Sequence, residues 1–259
     1  MLSPKYLSTV SVGVINIYKD VEDEILKDIA RRIKKADKVT PTAERQMEVL
    51  VEHGYSYKDL EKKLKPYLDD IDQEIETVLD KSTIKHYLDE KKAYAMVNKH
   101  LVDYAKNDRA IKINRQIRST LLANNKMITN SMGVAYDGKG YTLQEFYKKE
   151  LNKHVLMASS GAFDKQTAIR KFINSIGDSG IKAINYDKSG RNYTLESASK
   201  MIIGTAMHQL TGEISLMNAN DMEQDLMELS AHIGARPSHA EWQGKIVSLS
   251  GENSKYLSL

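Results

Sequence analysis

Ile15-Asn-Ile-Tyr-Lys-Asp-Val-Glu-Asp-Glu-Ile-Leu-Lys-Asp-Ile-Ala-Arg-Arg-Ile-Lys-Lys35 sets the fold class of this chain. Val14, Tyr18, Val21, Ile25, Ile29 and Ile33 recur at steps of three and four, which puts them along one side of an α-helix. The spacing predicts a helix from about Ile15 to Lys35. Asp20, Glu22, Asp23 and Glu24 lie in its first half and Arg31, Arg32, Lys34 and Lys35 in its last turns. That order complements the helix dipole. The same four basic residues are candidates for contact with DNA or a partner; the plainer reading is a solvated, dipole-matched helix end.

The helical pattern continues outward from this stretch. Thr40-Pro41 reads as an N-cap with proline in the first turn, opening a helix to His53 that Gly54 closes. Ser56-Tyr-Lys-Asp59 resembles a capping box and opens a short helix that Pro66 is expected to interrupt or end. Ile71, Ile75, Val78 and Leu79 mark a further helix. From Ile84 to about Asn124 the pattern stays helical, as one bent helix or two. Gly133 with Asp137-Gly-Lys-Gly140 is the clearest break, and a boundary is placed there: an N-terminal helical domain over residues 1–132 and a C-terminal α+β domain over 133–259.

Thr142-Leu-Gln-Glu145 is a capping box for a helix to about Met157, and Asp164 or Lys165 starts another that runs through Ile176. Ile181 to Tyr186 reads as a short strand. Thr194 caps a helix from about Leu195 to Asn218. Leu226 to Ser230 and Lys245 to Leu249 read as the two strands of a β-hairpin. The fold class expected is mainly α: an elongated N-terminal helical region, then a smaller α+β region ending in that hairpin.

Composition narrows the function classes. The 259 residues carry 38 basic and 35 acidic side chains, a net charge of +3, too balanced for a surface that binds nucleic acid as a whole. There is no cysteine, which removes disulfides and thiolate metal sites. No apolar run approaches the roughly 20 residues of a membrane helix, and the N-terminus has no secretory pattern. A soluble protein with no membrane contact is expected.

The loop between the hairpin strands holds the unusual residues. His232, Arg236, Pro237, His239, Glu241, Trp242 (the only tryptophan), Gln243 and Gly244 fall within thirteen positions. Loops held by a scaffold are where functional groups concentrate. His232, His239 and Glu241 are the right ligand types for zinc, but a catalytic zinc needs about three protein ligands and an open position, and no His-Glu-x-x-His or second ligand cluster supports one. Ser238 beside His239 has no nucleophile elbow, and no phosphate-binding glycine loop occurs. No catalytic residue, metal or cofactor is assigned. The plainer reading packs both imidazoles against backbone and buries Trp242 as the anchor of the hairpin; an exposed Trp242 meeting a partner is the alternative.

The string Ser230-Ala-His-Ile-Gly-Ala-Arg-Pro-Ser-His-Ala-Glu-Trp-Gln-Gly-Lys245 resembles the signature of the phage minor capsid protein 2 family. Ser3-Pro-Lys-Tyr-Leu7, Asp28-Ile-Ala-Arg-Arg-Ile33, Val39-Thr-Pro-Thr-Ala-Glu44, Gly54-Tyr-Ser-Tyr-Lys58, Ser160-Gly-Ala-Phe163 and Ser189-Gly-Arg191 are similar to it too, so the resemblance covers nearly the whole chain. It implies a structural minor capsid or head morphogenesis protein of a tailed phage. Such a protein lies inside the head near the portal, and in the host cytoplasm during assembly. It acts by contact with portal protein or major capsid protein within an oligomeric complex. Packaged DNA is a further candidate partner, and the chain would then be a DNA-contacting or ejected internal protein. A metal-dependent hydrolase or ADP-ribosyltransferase-like enzyme using His232, His239 and Glu241 is the alternative from a different class. Family members usually continue into a Gly-rich segment with a Trp-Asn-Cys-Arg-His-like motif. This sequence has no such segment, so a short, processed or truncated member is expected.

Overall fold

The computed structural model describes residues 2, 4–36, 55–136, 138–151, 176, 180–184, 191–229, 231 and 236–258. In chain order the elements are helices α1 (Pro4–Val10), α2 (Val12–Ala36) and α3 (Tyr55–Ala95), a 3-10 turn (Tyr104–Lys106), and helix α4 (Asp108–Asn130). Strands β1 (Met132–Tyr136) and β2 (Lys139–Thr142) follow, then a short α5 (Leu143–Glu145) that runs into a π-helical turn (Phe146–Leu151). Next come β3 (Ile181–Ala183), β4 (Tyr193–Thr194), the long α6 (Leu195–Asp221), β5 (Leu226–Glu228), α7 (Pro237–Ala240), β6 (Ile246–Ser248) and β7 (Leu257–Ser258). The protein is mainly α, and among the described residues its strands lie in the second half, all pairing antiparallel except β6 with β7. The helices expected over Thr40–His53 and from Asp164 lie outside the described residues, as does the expected end of the Thr142 helix at Met157.

Pro66 does not end a helix. It sits inside α3, which is 41 residues long. An interior proline costs about 3 kcal/mol. Against that, Leu60, Leu64, Ile71, Ile75 and Leu79 are all buried along one face, and each is worth about 2 kcal/mol. Pro66 is itself exposed, so water can reach the carbonyl that loses its donor. The stretch from Ile84 to Asn124 resolves as two helices. The break follows Asn98, which holds a left-handed φ of 59°, and α4 restarts where the Asn107 side chain accepts from the Ala110 N–H at 3.0 Å.

The chain forms two compact units, and α3, α4 and α6 contribute residues to both. The larger unit comprises Leu2–Ser82 and Gln116–His208. Its core takes the α2 stripe (Val14, Tyr18, Val21, Ile25 and Ile29), the first part of α3, Leu121 and Ile128 of α4, and Leu195 and Ile203 of α6. The Tyr18 hydroxyl donates to Asn125 Oδ1 at 2.7 Å, and the Asn125 amide donates to Asp72 Oδ1 at 2.9 Å. This relay ties α2, α4 and α3 in one register.

The Gly-rich segment expected to be a boundary is a hairpin within the larger unit. β1 pairs antiparallel with β2 (Gly133↔Thr142) and with β3 (Val134↔Ile181), in a sheet ordered β2-β1-β3-β4. A Cβ on Gly133 would lie 2.0 Å from the Tyr141 carbonyl oxygen, so only glycine fits there. Two of the predicted caps form in this unit. Thr142 and Glu145 make the reciprocal capping box, and Thr194 Oγ1 accepts from the Ser197 N–H at 3.1 Å.

The smaller unit comprises Thr83–Arg115 and Gln209–Leu259. It packs the end of α3, the start of α4 and the end of α6. The Tyr87 hydroxyl donates to the Val102 carbonyl at 3.0 Å and accepts from the Asn107 amide at 2.9 Å. The three-stranded sheet, ordered β5-β6-β7, belongs to this unit.

Candidate functional site

The expected terminal hairpin is present. β5 and β6 pair antiparallel with Leu226 opposite Ser248 and Glu228 opposite Ile246. The ladder extends beyond the strands: the Leu229 N–H donates to the Lys245 carbonyl and the Gly244 N–H to the Leu229 carbonyl, both at 2.9 Å. Gly244 makes this closure with φ +68°, a conformation that costs a side-chain-bearing residue about 1 kcal/mol or more. The hairpin therefore holds the loop's two ends together.

Asp225 locks the base of the hairpin. Its carboxylate accepts from Ser248 Oγ at 2.7 Å and from the Ser250 N–H at 2.8 Å, and the Gly251 N–H donates to Ser248 Oγ at 3.1 Å. The Ser248 hydroxyl bond and the Ser250 amide hold the Asp225 carboxyl below the usual carboxylate range. Sequence reasoning missed Asp225. Its signature is an aspartate just ahead of one strand and a Ser-x-Ser at the end of the other.

Within the loop, Pro237–Ala240 forms one helical turn, and the Ala240 N–H donates to the Arg236 carbonyl at 3.0 Å. Trp242 corrects an expectation: it is 47% exposed and does not anchor the hairpin. The apolar anchor is Val247, which is 1% exposed. The turn over residues 241–244 turns Trp242 outward, while β6 directs Val247 inward. Arg236, Pro237, Glu241, Gly244, Lys245 and Ile246 are also exposed, and Gln243 is half-buried. His232 and the side chain of His239 lie outside the described residues. Among the described residues, no group of three or more His, Asp or Glu side chains is placed to hold a metal.

The second set of candidate residues belongs to the larger unit. Arg31 and Arg32 both pair with Asp28, whose side chain is fully buried. Asp28 Oδ1 also accepts from Lys63 at 3.1 Å, and Oδ2 accepts from the Tyr147 hydroxyl at 3.1 Å. The Arg32 guanidinium stacks 5.3 Å over the Tyr147 ring. Burial alone raises the Asp28 pKa, but the Arg32, Lys63 and Tyr147 hydrogen bonds outweigh it and hold the carboxyl low. Lys34 and Lys35 continue α2, with side chains outside the described residues. Asp28 thus ties α2 to Lys63 of α3 and to the π-helical turn, while Arg31 and Arg32 pair with it from within α2.

A third cluster was not anticipated from sequence. His86 is wholly buried in the smaller unit. Its Nε2 lies 3.1 Å from the Thr211 carbonyl, 3.0 Å from Ser215 Oγ and 3.3 Å from Glu90 Oε1. Glu90 also accepts from Ser215 Oγ and, at 2.6 Å, from the Asn218 amide. His86 Nδ1 and Asn218 Oδ1 are buried with no hydrogen-bond partner. Burial lowers the His86 pKa, against the opposing pull of Glu90. The pattern was present as His86-x-x-x-Glu90 on α3 and Ser215-x-x-Asn218 on α6, one helical face each.

The described residues include no helix long and apolar enough to cross a membrane. A family model described as phage minor capsid protein 2 matches residues 2–257. A protein called "Structural protein" from Lactococcus phage LL-H is 28% identical over 102 residues; the match covers 39% of this chain and 28% of that relative. No solved structure matches the chain significantly.

Proposed function

Because the chain belongs to the phage minor capsid protein 2 family, we propose that it is a structural component of the phage particle that works by protein–protein contact, inside the head near the portal. The observation that carries this reading is the exposed Trp242, 47% accessible in the turn that leads into β6, on a hairpin that Asp225 fixes at its base and Gly244 closes at the loop. Tryptophan and arginine dominate the energetic centres of protein interfaces, and Trp242 stands with Arg236 and Lys245 on this loop. A hairpin whose strands are already paired loses little entropy on docking. The relative's printed name agrees with a structural role. Portal protein is the proposed partner, with major capsid protein as the alternative surface.

The test is crosslinking of the full chain to purified portal and to assembled heads, with Trp242→Ala in parallel. The expected result is a crosslink from the loop to portal and its loss in the variant. Absence of the chain from purified particles, together with no portal crosslink, overturns the reading.

A further inference from the structure

The smaller unit also carries a groove of about 480 Å3 between the start of α4 and the end of α6. Its apolar surface is formed by Ile113, Leu216 and Met217, with Lys112 and Glu213 also lining it. Arg109, near the start of α4, pairs with Asp221, the last residue of α6. The two helices therefore run antiparallel along the groove, and Lys112 lies toward the Asp221 end while Glu213 lies at the other. The separation is about one helical turn, since Glu213 is a turn before Met217. Neither Lys112 nor Glu213 has an ion-pair partner among the described residues. Leu216 is 42% exposed, an uncovered large side chain midway between them.

This arrangement is self-complementary. A two-fold axis across the groove reverses the order of charges in a second copy. Lys112 of each copy then faces Glu213 of the other, and each Leu216 enters the opposite groove. A repeated patch with a cation at one end and an anion at the other is what an isologous interface requires. We propose that the α4/α6 groove is a self-association face occupied by the same face of a second copy of this chain. The face is independent of the Trp242 loop. It is small, so the dimer forms in the micromolar range rather than the nanomolar.

Sedimentation velocity of the full chain tests this over a concentration series. A reversible dimer is expected, with Leu216→Glu monomeric at unchanged helical content. Lys112→Glu and Glu213→Lys each weaken the dimer by about tenfold, and the double exchange restores most of the loss, because the two residues meet across the axis. Trp242→Ala leaves the dimer intact. A chain that stays monomeric at about 100 µM, well above the range a small interface supports, overturns the proposal. So does a Leu216→Glu chain that still dimerises, or a double exchange no better than the sum of its singles.

Discussion

The Tyr147 hydroxyl donates to Asp28 Oδ2 at 3.1 Å, joining a π-helical turn to a helix 119 residues earlier in the chain. The bond completes a shell in which one buried carboxylate satisfies Arg31, Arg32 and Lys63 as well. Asp28 is the centre of this corner of the larger unit, and its loss removes a shared partner from all four groups.

Asp28→Ala is expected to destabilise the larger unit by about 2–3 kcal/mol, the range for losing hydrogen bonds to a charged group, because the three cations left behind all reach solvent. Tyr147→Phe removes one hydroxyl and leaves the cations in place, so about 1 kcal/mol is expected. Urea unfolding of the two variants ranks them. Equal effects would mean that the carboxylate's cations contribute little beyond the tyrosine bond.

Trp242 and Val247 lie five residues apart and should behave oppositely. Val247 is buried, so Val247→Ala should cost about 2 kcal/mol through lost transfer energy and a cavity. Trp242→Ala should change stability by about 0.5 kcal/mol, the ordinary range for an exposed position. Thermal melts of both variants decide it. A large loss on truncating Trp242 would return it to the role of hairpin anchor.

The contrast shows what the sequence could and could not carry. Periodicity placed α2, the capped starts at Thr142 and Thr194, and the β5/β6 hairpin, because each depends on local spacing or on a cap three residues away. It missed the continuity of α3 through Pro66, since the residues that outweigh proline's cost act by tertiary burial. The plainer reading has Trp242 buried as the hairpin anchor, with an exposed contact as the alternative; the turn over residues 241–244 decides for exposure. The His86 cluster was hidden because Glu90 and Ser215 are 125 residues apart and no spacing rule joins them. Asp225 was hidden for a smaller reason: its partners are a serine side chain and a backbone amide, which leave no charge pattern.

Glu22 makes the larger unit less stable as pH rises toward neutrality. Burial, with Asp23 and Glu196 nearby, pushes its pKa up to about 7. The folded form therefore holds a proton that the unfolded chain, near the ordinary glutamate value, releases. Stability from this group is full below the unfolded pKa and is lost as pH rises through about 7. Glu22→Gln should flatten that decline. Melting temperature across pH 4.5 to 8.5 is the measurement, and an unchanged slope in the variant would remove Glu22 as its source.

His86 gives the smaller unit the opposite sign. Its pKa is lowered in the folded state, chiefly by burial, from an ordinary value of 6.5. Protonation adds a second N–H at Nδ1, which has no partner, and a charge that Glu90 at 3.3 Å offsets only in part. Asp89, the remaining acidic neighbour on α3, also favours the charged form, while Thr211 and Ser215 of α6 accept only the Nε2 hydrogen. The folded unit thus binds its proton later than the unfolded chain does. Stability is present above about 6.5 and is lost as pH falls through the lower folded pKa. Amide hydrogen exchange read separately over residues 83–95 and 209–221 follows this unit alone. Protection there should fall on acidification, and His86→Phe, which cannot titrate, should abolish the dependence. If the wild-type amides become better protected below pH 6, the Glu90 ion pair dominates and the sign assigned to His86 is wrong.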